Sequence, residues 1–96
     1  MYKLVFAKNF WKKYRIIVKK NNRLKKKIVK TFELLALNPR HSTLKSHKVA
    51  TKKFGEKWAS KITGNLRIIW DYDKNKKLTI LILSFGGHSG KQKVYK

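Results

Sequence analysis

The stretch Lys57-Trp-Ala-Ser-Lys-Ile-Thr-Gly-Asn-Leu-Arg67-Ile-Ile-Trp-Asp-Tyr72 opens the segment from Lys57 to His88, which decides the fold. The segment contains three runs rich in β-branched and aromatic residues, separated by turn residues. These runs predict strands at about 58–63, 66–73 and 78–85, with Gly64-Asn65 and residues 73–77 as the connections. Strands joined by such short connections form an antiparallel meander.

A short strand and two amphipathic helices are predicted before the meander. Tyr2 to Phe6 alternates at period two, which is typical of a strand. The first helix ends at Asn21-Asn22, and Asn22 is the predicted N-cap of the second helix. The second helix ends at Asn38-Pro39, because proline cannot continue a helix. The two apolar stripes are Phe6, Phe10, Tyr14, Ile17 and Val18, and then Leu24, Ile28, Phe32 and Leu35.

Together these elements predict an α+β fold. After an N-terminal strand, an αα-hairpin would pack on one face of a twisted antiparallel sheet of about four strands, of which the N-terminal strand is the first. Arg40 to Gly55 is predicted to be a loop with at most a short strand near 44–49, and residues 93–95 could add an edge strand. No repeat or linker interrupts the 96 residues, so we expect a single domain over 1–96.

Charge is the dominant feature of the composition. The chain has 26 Lys and Arg residues against four Asp and Glu residues, a formal net charge of +22. Self-repulsion at this density is relieved by a polyanion, so we expect nucleic acid, an acidic protein or both as partners. Cysteine is absent, which excludes disulfides and thiolate metal sites and fits a reducing cytoplasm. The longest apolar run, Leu81-Ile82-Leu83, is too short to span a bilayer, and no export signal is evident.

The residues available for chemistry are few. Paired-carboxylate catalysis is nearly excluded, since the only acids are Glu33, Glu56, Asp71 and Asp73. Asp71 alternates in phase with Arg67, so it could either orient this arginine or form a weak surface ion pair. The histidines have no metal-ligand spacing, and neither a metal nor another cofactor is predicted.

What remains suits RNA cleavage without a metal ion. In that reaction the RNA 2′-hydroxyl attacks its neighbouring phosphate. The protein supplies a base, cations and an acid that protonates the leaving oxygen. Histidine can fill either proton-transfer role, and arginine offers a fixed fork of donors for phosphate oxygens. The available set is His88, Arg67, Lys61 and His47, with Arg67 and His88 on the sheet face that the helices leave uncovered.

The run from Trp58 to Trp70 resembles the W-[SA]-x-[RK]-I-T-x-x-x-R-[LI]-[VI]-[YW] block of the RelE/YoeB toxins of type II toxin–antitoxin systems. The Leu44-Lys-Ser-His47-Lys-Val segment and the Gly-Gly-His88 ending also match, and the resemblance covers essentially the whole chain. It implies the α+β fold described above, cleavage of mRNA, often on the ribosome, and inhibition by a cognate antitoxin, which we expect to be acidic.

The resemblance also implies roles for individual residues. Arg67 matches the strand arginine that contacts the scissile phosphate, and Lys61 matches a neighbouring basic position. His88 matches a C-terminal histidine of YoeB- and YafQ-like members, assigned as general acid or charge stabiliser. His47 resembles a loop histidine of YafQ-like members. It is our candidate base because no carboxylate lies between Pro39 and Gly55, with Lys61 or another lysine as the alternative.

Further candidates would bind RNA rather than react with it. Tyr95 loosely matches a C-terminal tyrosine that stacks on a base or orients the phosphate. The basic candidates are Lys45, Lys48, Lys91 and Lys93.

The turn at Gly64-Asn65 leaves one geometric question open. With a two-residue turn, Ile62 would oppose Arg67, and Lys61 would point to the other face. A three-residue loop or a bulge would instead put Lys61 and Arg67 on the same face.

Two other functions compete with RNA cleavage. A ParE-like toxin would act on DNA gyrase without proton-transfer residues, and such relatives typically lack a histidine at the position of His88. A plain basic nucleic-acid-binding module would bind in a salt-sensitive way and cleave nothing.

Overall fold

The structure, a computed structural model, describes residues 1–87. His88, Lys91, Lys93 and Tyr95, and with them the predicted edge strand at 93–95, lie outside the described residues. The elements are β1 (Lys3–Phe6), α1 (Phe10–Val18), α2 (Asn22–Leu37), a 3₁₀ turn (Ser42–Leu44), β2 (His47–Thr51), β3 (Gly55–Lys61), β4 (Leu66–Tyr72) and β5 (Thr79–Gly87).

The strands form one sheet of five strands in the order β1-β5-β4-β3-β2. The strands β2 to β5 pair antiparallel in chain order, and β3 to β5 form the predicted meander. The predicted α+β class is therefore confirmed. The short strand allowed near 44–49 forms as β2, so the sheet has five strands rather than about four. The prediction of an antiparallel sheet was wrong for β1, which pairs parallel to β5, so the sheet is mixed. A parallel pair needs a long crossover, and here the crossover includes the αα-hairpin and three strands.

The extra strand, β2, returns into β3 through a tight turn. The Thr51 hydroxyl donates to the Gly55 carbonyl at 2.8 Å and accepts from the Phe54 amide at 2.9 Å. Gly55 has a φ of +79°, which L side chains rarely adopt. These local contacts explain why a lysine-rich segment with little apolar alternation still forms a strand.

The two helices begin and end through local backbone chemistry. The side chain of Asn21 accepts a hydrogen bond from the Leu24 amide at 3.0 Å, so Asn21 is the N-cap and the predicted cap, Asn22, is the first helical residue. At the other end Asn38 is extended, as a residue before proline prefers to be. Within residues 1–87, neither helix combines the length and the hydropathy that a membrane span requires.

The core lies between the helices and one face of the sheet. Phe10, Ile28 and Leu35 of the helices are buried to 0–1% exposure together with the alternating β4 residues Ile68 and Trp70. Further core residues are Leu44, Ile80, Ile82 and Phe85. Phe6, predicted to be on the first helical stripe, lies in β1 instead, because α1 begins at Phe10. The other stripe residues face the sheet, and this face of β4 is closed to solvent.

We predict that two isoleucines of the helical layer differ sharply in their effect on stability. Ile28→Ala should lower the free energy of unfolding by about 2–5 kcal/mol, because Ile28 is fully buried and its loss leaves a cavity. Ile16→Ala is the matched control. It should change stability by no more than about 0.5 kcal/mol, because Ile16 is 70% exposed. Urea unfolding measures both values, and equal losses would contradict the described core.

Candidate active-site face

The register of the β3–β4 hairpin decides which side chains share a face. Lys61 lies directly opposite Arg67. The Ile62 amide donates to the Leu66 carbonyl at 2.9 Å, so the connecting loop has three residues, 63–65. The Thr63 hydroxyl accepts from the amide of Leu66 at 3.1 Å and stabilises this loop. Of the two geometries that the sequence left open, the structure has the one that places Lys61 and Arg67 side by side.

The pairing of β2 brings His47 to the same face. His47 lies opposite Ala59, and Ala59 lies opposite Ile69. Cross-strand partners share a face, and so do residues two apart along a strand. Since Lys61 is two residues from Ala59 and Arg67 is two residues from Ile69, the side chains of His47, Lys61 and Arg67 lie on one face. This face is the one opposite the helices.

The spacing of these residues fits a ligand of nucleotide size. Arg67 is two strands and two residues away from His47. With a strand separation of about 4.8 Å and a rise of about 3.4 Å, their Cα atoms are about 12 Å apart. Lys61 lies on the strand between them. Two long cationic side chains and one imidazole can therefore meet over a single phosphodiester from three neighbouring strands.

Arg67 is half-buried at the loop end of this face. Its Nη1 donates to the Thr63 carbonyl at 2.8 Å and lies 3.5 Å from the Leu66 carbonyl. These contacts hold the planar guanidinium at the β3–β4 loop. On the other side of Arg67, the β5 partner is Gly86, which contributes no side chain to the face.

His47 is exposed, and its ring is oriented by the backbone. Its Nδ1 lies 3.0 Å from the carbonyl oxygen of Lys45. Because a carbonyl only accepts hydrogen bonds, Nδ1 must carry the proton for this bond to form. In the neutral ring, Nε2 then bears the lone pair, which is the form that a general base requires.

The carboxylate of Asp71 is engaged by a different cation from the one considered in the sequence analysis. Lys57 Nζ lies 3.1 Å from Asp71 Oδ2, while Oδ1 accepts from the Tyr72 amide at 2.9 Å. The contacts favour the ion-pair alternative, and a partly exposed pair of this kind contributes about 1 kcal/mol or less. Lys57, which was not among the residues predicted from the sequence, is four residues from Lys61 on β3 and adds a cation to the same face.

The remaining described candidates lie elsewhere. Lys48 is directly opposite Trp58, on the side of the strand away from His47, and its Nζ lies 5.1 Å from the centre of the Trp58 ring. The guanidinium of Arg40 lies 4.6 Å from the same ring centre. Lys45 is exposed, with a left-handed φ of 48°. Lys45 is therefore near His47, two residues before it in the chain, whereas Lys48 lies on the other side of the sheet from the candidate active-site face.

Two other polar groups have structural roles. His41 Nδ1 accepts from the Thr43 amide at 3.1 Å and caps the 3₁₀ turn. Burial raises the pKa of Tyr72 above its ordinary value of 10.0, and Tyr2 and Asp71 raise it further while Arg40 lowers it. The Tyr72 hydroxyl therefore stays protonated at neutral pH. Among residues 1–87, no three histidine or carboxylate side chains gather as a metal site.

Comparisons with known proteins identify the fold. No family model matches the sequence, and no curated protein matches it. The structure is similar to the YoeB/ParE toxin from Agrobacterium tumefaciens, with 17% identity, 91% of this chain and 99% of that chain covered, and a TM-score of 0.71. The crystal structure of YafQ from E. coli strain BL21(DE3) has 13% sequence identity to this chain and a TM-score of 0.67. The match covers 92% of this chain and 94% of that chain. The solution structure of the conserved hypothetical protein HP0892 from Helicobacter pylori has 22% sequence identity to this chain and a TM-score of 0.61. The match covers 92% of this chain and 96% of that chain.

The chain therefore has the RelE/YoeB-like toxin fold, as the resemblance in its sequence predicts. At these identities the similarity concerns the fold.

We predict that a pair of introduced cysteines reports the register of the hairpin. The Ile62–Leu66 hydrogen bond makes Lys61–Arg67 a non-hydrogen-bonded pair, whose Cα atoms lie about 4.5 Å apart. This separation fits a disulfide, and the natural chain has no cysteine to compete. Lys61→Cys/Arg67→Cys should oxidise to an intramolecular disulfide, seen by mass spectrometry. Ile62→Cys/Arg67→Cys is the matched control, and preferential oxidation of this control would indicate the two-residue turn.

Proposed function

We propose that this chain is the toxin of a type II toxin–antitoxin system and that it cleaves mRNA without a metal ion. The observation that carries the proposal is the placement of His47, Lys61 and Arg67 on one face of the sheet. The fold shared with a YoeB/ParE toxin and with YafQ supports the toxin role. The net charge of +22 suits an RNA substrate, since phosphate contacts dominate the affinity for nucleic acids.

His47 would act as the general base. Its Nδ1 is occupied by the Lys45 carbonyl, so Nε2 is the nitrogen that can take the proton from the RNA 2′-hydroxyl. The 2′-oxygen then attacks the adjacent phosphorus, and the bond to the 5′-oxygen of the next nucleotide breaks. The products are a 2′,3′-cyclic phosphate and a 5′-hydroxyl.

Arg67 and Lys61 would stabilise the charge that develops on the phosphoryl oxygens. A guanidinium presents several N–H donors in a fixed plane, while an ammonium acts as a mobile point charge. Their side-by-side positions on adjacent strands let both contact one phosphate. Preorganised donors of this kind lower the barrier because they need no reorganisation during the reaction.

His88 would act as the general acid that protonates the leaving 5′-oxygen. It follows Gly87 directly in the chain, and Gly86 is the strand partner of Arg67. Its assignment rests on the sequence, because His88 is outside the described residues. On the same basis Tyr95, Lys91 and Lys93 are proposed to hold the RNA, with Lys45 beside His47. Lys48 would contact the RNA outside the candidate active-site face.

We predict that His47→Gln and Arg67→Ala each abolish toxicity in cells while the proteins remain folded. Loss of a general base costs about 10²–10⁴-fold in rate, and loss of a charge-stabilising donor costs about 10²–10³-fold. Cleavage of a defined RNA by the purified proteins measures both losses. Lys76→Ala is the control, because Lys76 is exposed in the β4–β5 connection and should not matter. Chelators should leave the rate unchanged, and a 2′-deoxy substitution at the scissile nucleotide should block cleavage.

Mapping of transcript 5′-ends after brief induction tests the same proposal in cells. New ends within coding regions, produced by the natural protein and absent with His47→Gln, would support mRNA cleavage on the ribosome. Intact transcripts accompanied by DNA damage signalling would contradict it and favour the gyrase-directed alternative. Salt-sensitive RNA binding without growth arrest would leave only a basic binding module.

We further predict a tight complex with an acidic antitoxin in the cytoplasm. Neutralisation of the lysines on the helices and on the sheet would relieve the repulsion within the toxin. A partner present at about 1,000 times its Kd should stabilise the fold by about 4 kcal/mol. Titration calorimetry with the product of an adjacent small reading frame measures the affinity. A micromolar or weaker Kd would contradict the prediction.

A further inference from the structure

A line of side-chain hydroxyls runs beneath the candidate active-site face. The indole Nε1 of Trp70 lies 2.7 Å from the Ser60 hydroxyl, which lies 2.6 Å from the Ser46 hydroxyl. The Ser46 hydroxyl lies 2.8 Å from the carbonyl of Pro39. Trp70 and Ser60 are both fully buried. The line connects β4, β3, the residue before β2 and the turn that follows α2.

The direction of each hydrogen bond in this line follows from its two ends. An indole N–H can only donate, so the Ser60 oxygen accepts from Trp70. A carbonyl can only accept, so Ser46 gives its one proton to Pro39. The remaining bond must therefore run from the Ser60 hydroxyl to the Ser46 oxygen. Every buried polar atom of the line is satisfied, and aligned hydrogen bonds of this kind reinforce one another.

Two members of the line directly precede proposed catalytic residues, and a third shares a strand with one. Ser46 precedes His47, and Ser60 precedes Lys61. Trp70 lies on β4, the strand that carries Arg67. Successive residues of a strand point to opposite faces, so Ser60 lies beneath the face on which Lys61 lies.

The position of His47 depends on this line of hydroxyls more than the positions of Lys61 and Arg67 do. Lys61 and Arg67 are held by the β3–β4 hairpin, whose hydrogen bonds continue past them at Ile62–Leu66. His47 is the first residue of β2, and the chain before it is a turn. The His47 ring is oriented by the carbonyl of Lys45, the residue before Ser46. Fixing Ser46 to Ser60 and Pro39 therefore fixes the carbonyl that selects the tautomer of His47.

We propose that Ser46 and Ser60 are positioning residues that hold His47 in the orientation and tautomer of a general base. The proposal rests on the proposed function for its catalytic consequence. The structural part, the control of the His47 ring by Ser46, does not depend on RNA cleavage. Neither serine would contact the substrate, since both hydroxyls are occupied within the line.

The first test is nitrogen NMR of the His47 ring at a pH where the imidazole is neutral. In the natural protein and in Ser46→Thr, which keeps a hydroxyl, the Nδ1–H form should dominate. In Ser46→Ala its share should fall, with circular dichroism showing the same fold. An unchanged tautomer in Ser46→Ala would overturn the proposal whether or not the protein cleaves RNA.

The second test compares rates of RNA cleavage. Ser46→Ala should lower kcat about 10- to 100-fold with little change in KM, because a misplaced base slows the chemistry while the cations still bind the phosphate. Ser46→Thr should restore most of the rate. In a His47→Gln background, Ser46→Ala should not lower the rate of RNA cleavage further, because the effect of Ser46 acts through His47.

If Ser46→Ala lowered the cleavage rate of the His47→Gln variant by the same factor as it lowers that of the natural protein, Ser46 would act by a route other than His47. This result would overturn the proposal. If the natural protein does not cleave RNA, the proposed function fails, and the NMR result still decides the positioning of His47. Trp70→Phe removes only the distant donor of the line. It should therefore change the tautomer of His47 less than Ser46→Ala does.

Discussion

The register between β3 and β4 is the constraint on which the rest of the site depends. A three-residue loop places Lys61 opposite Arg67, and a two-residue turn would have moved every side chain of one strand to the other face. The register is fixed from the opposite side of the sheet, where Trp58 lies opposite Trp70 and their rings stack at 5.6 Å. Burial of the aromatic side thus determines which polar residues meet on the side away from the helices, around the buried Ala59 and Ile69.

This arrangement separates two tasks on the two faces of the same strands. The helix-facing side supplies stability through buried apolar area, with Phe10 stacked on Phe85 at 4.8 Å. The other side gathers cations at a cost in mutual repulsion. In the described part of that face, the carboxylate of Asp71 is taken up by Lys57, so it does not neutralise Lys61. A face of this kind suits a ligand that brings its own negative charge.

Local patterns allowed much of the fold to be predicted from the sequence. The helical stripes from Phe10 onward, the stop at Asn38-Pro39 and the meander depend on neighbouring residues, and the structure confirms them. The partner of β1 depends on contacts between distant segments, and β2 depends on the turn between Thr51 and Gly55 that pairs it with β3. Alternation of apolar and polar residues encodes neither feature. Asn22 was a plausible cap by composition, but the backbone angles of the preceding residue placed the cap at Asn21.

The candidate site was predictable in its residue types and only in part in its geometry. Arg67 and His47 could be chosen because guanidinium and imidazole groups suit phosphate chemistry. Their common face follows from a loop length that Gly64-Asn65 did not specify. The ion pair of Asp71 with Lys57 and the hydroxyl line under His47 were beyond prediction, since serine and lysine are ordinary at such positions. Ser46 reaches Ser60, and Lys57 reaches Asp71, because strand pairing brings residues that are 14 positions apart within hydrogen-bonding distance.

The most direct test of the central claim is a crystal structure of the protein with an RNA that carries a 2′-O-methyl group at the scissile nucleotide. The account predicts one phosphate in contact with both Arg67 and Lys61, and the blocked 2′-oxygen about 3 Å from Nε2 of His47. RNA bound on the helical side, or a phosphate that reaches Arg67 while His47 contacts nothing, would contradict it.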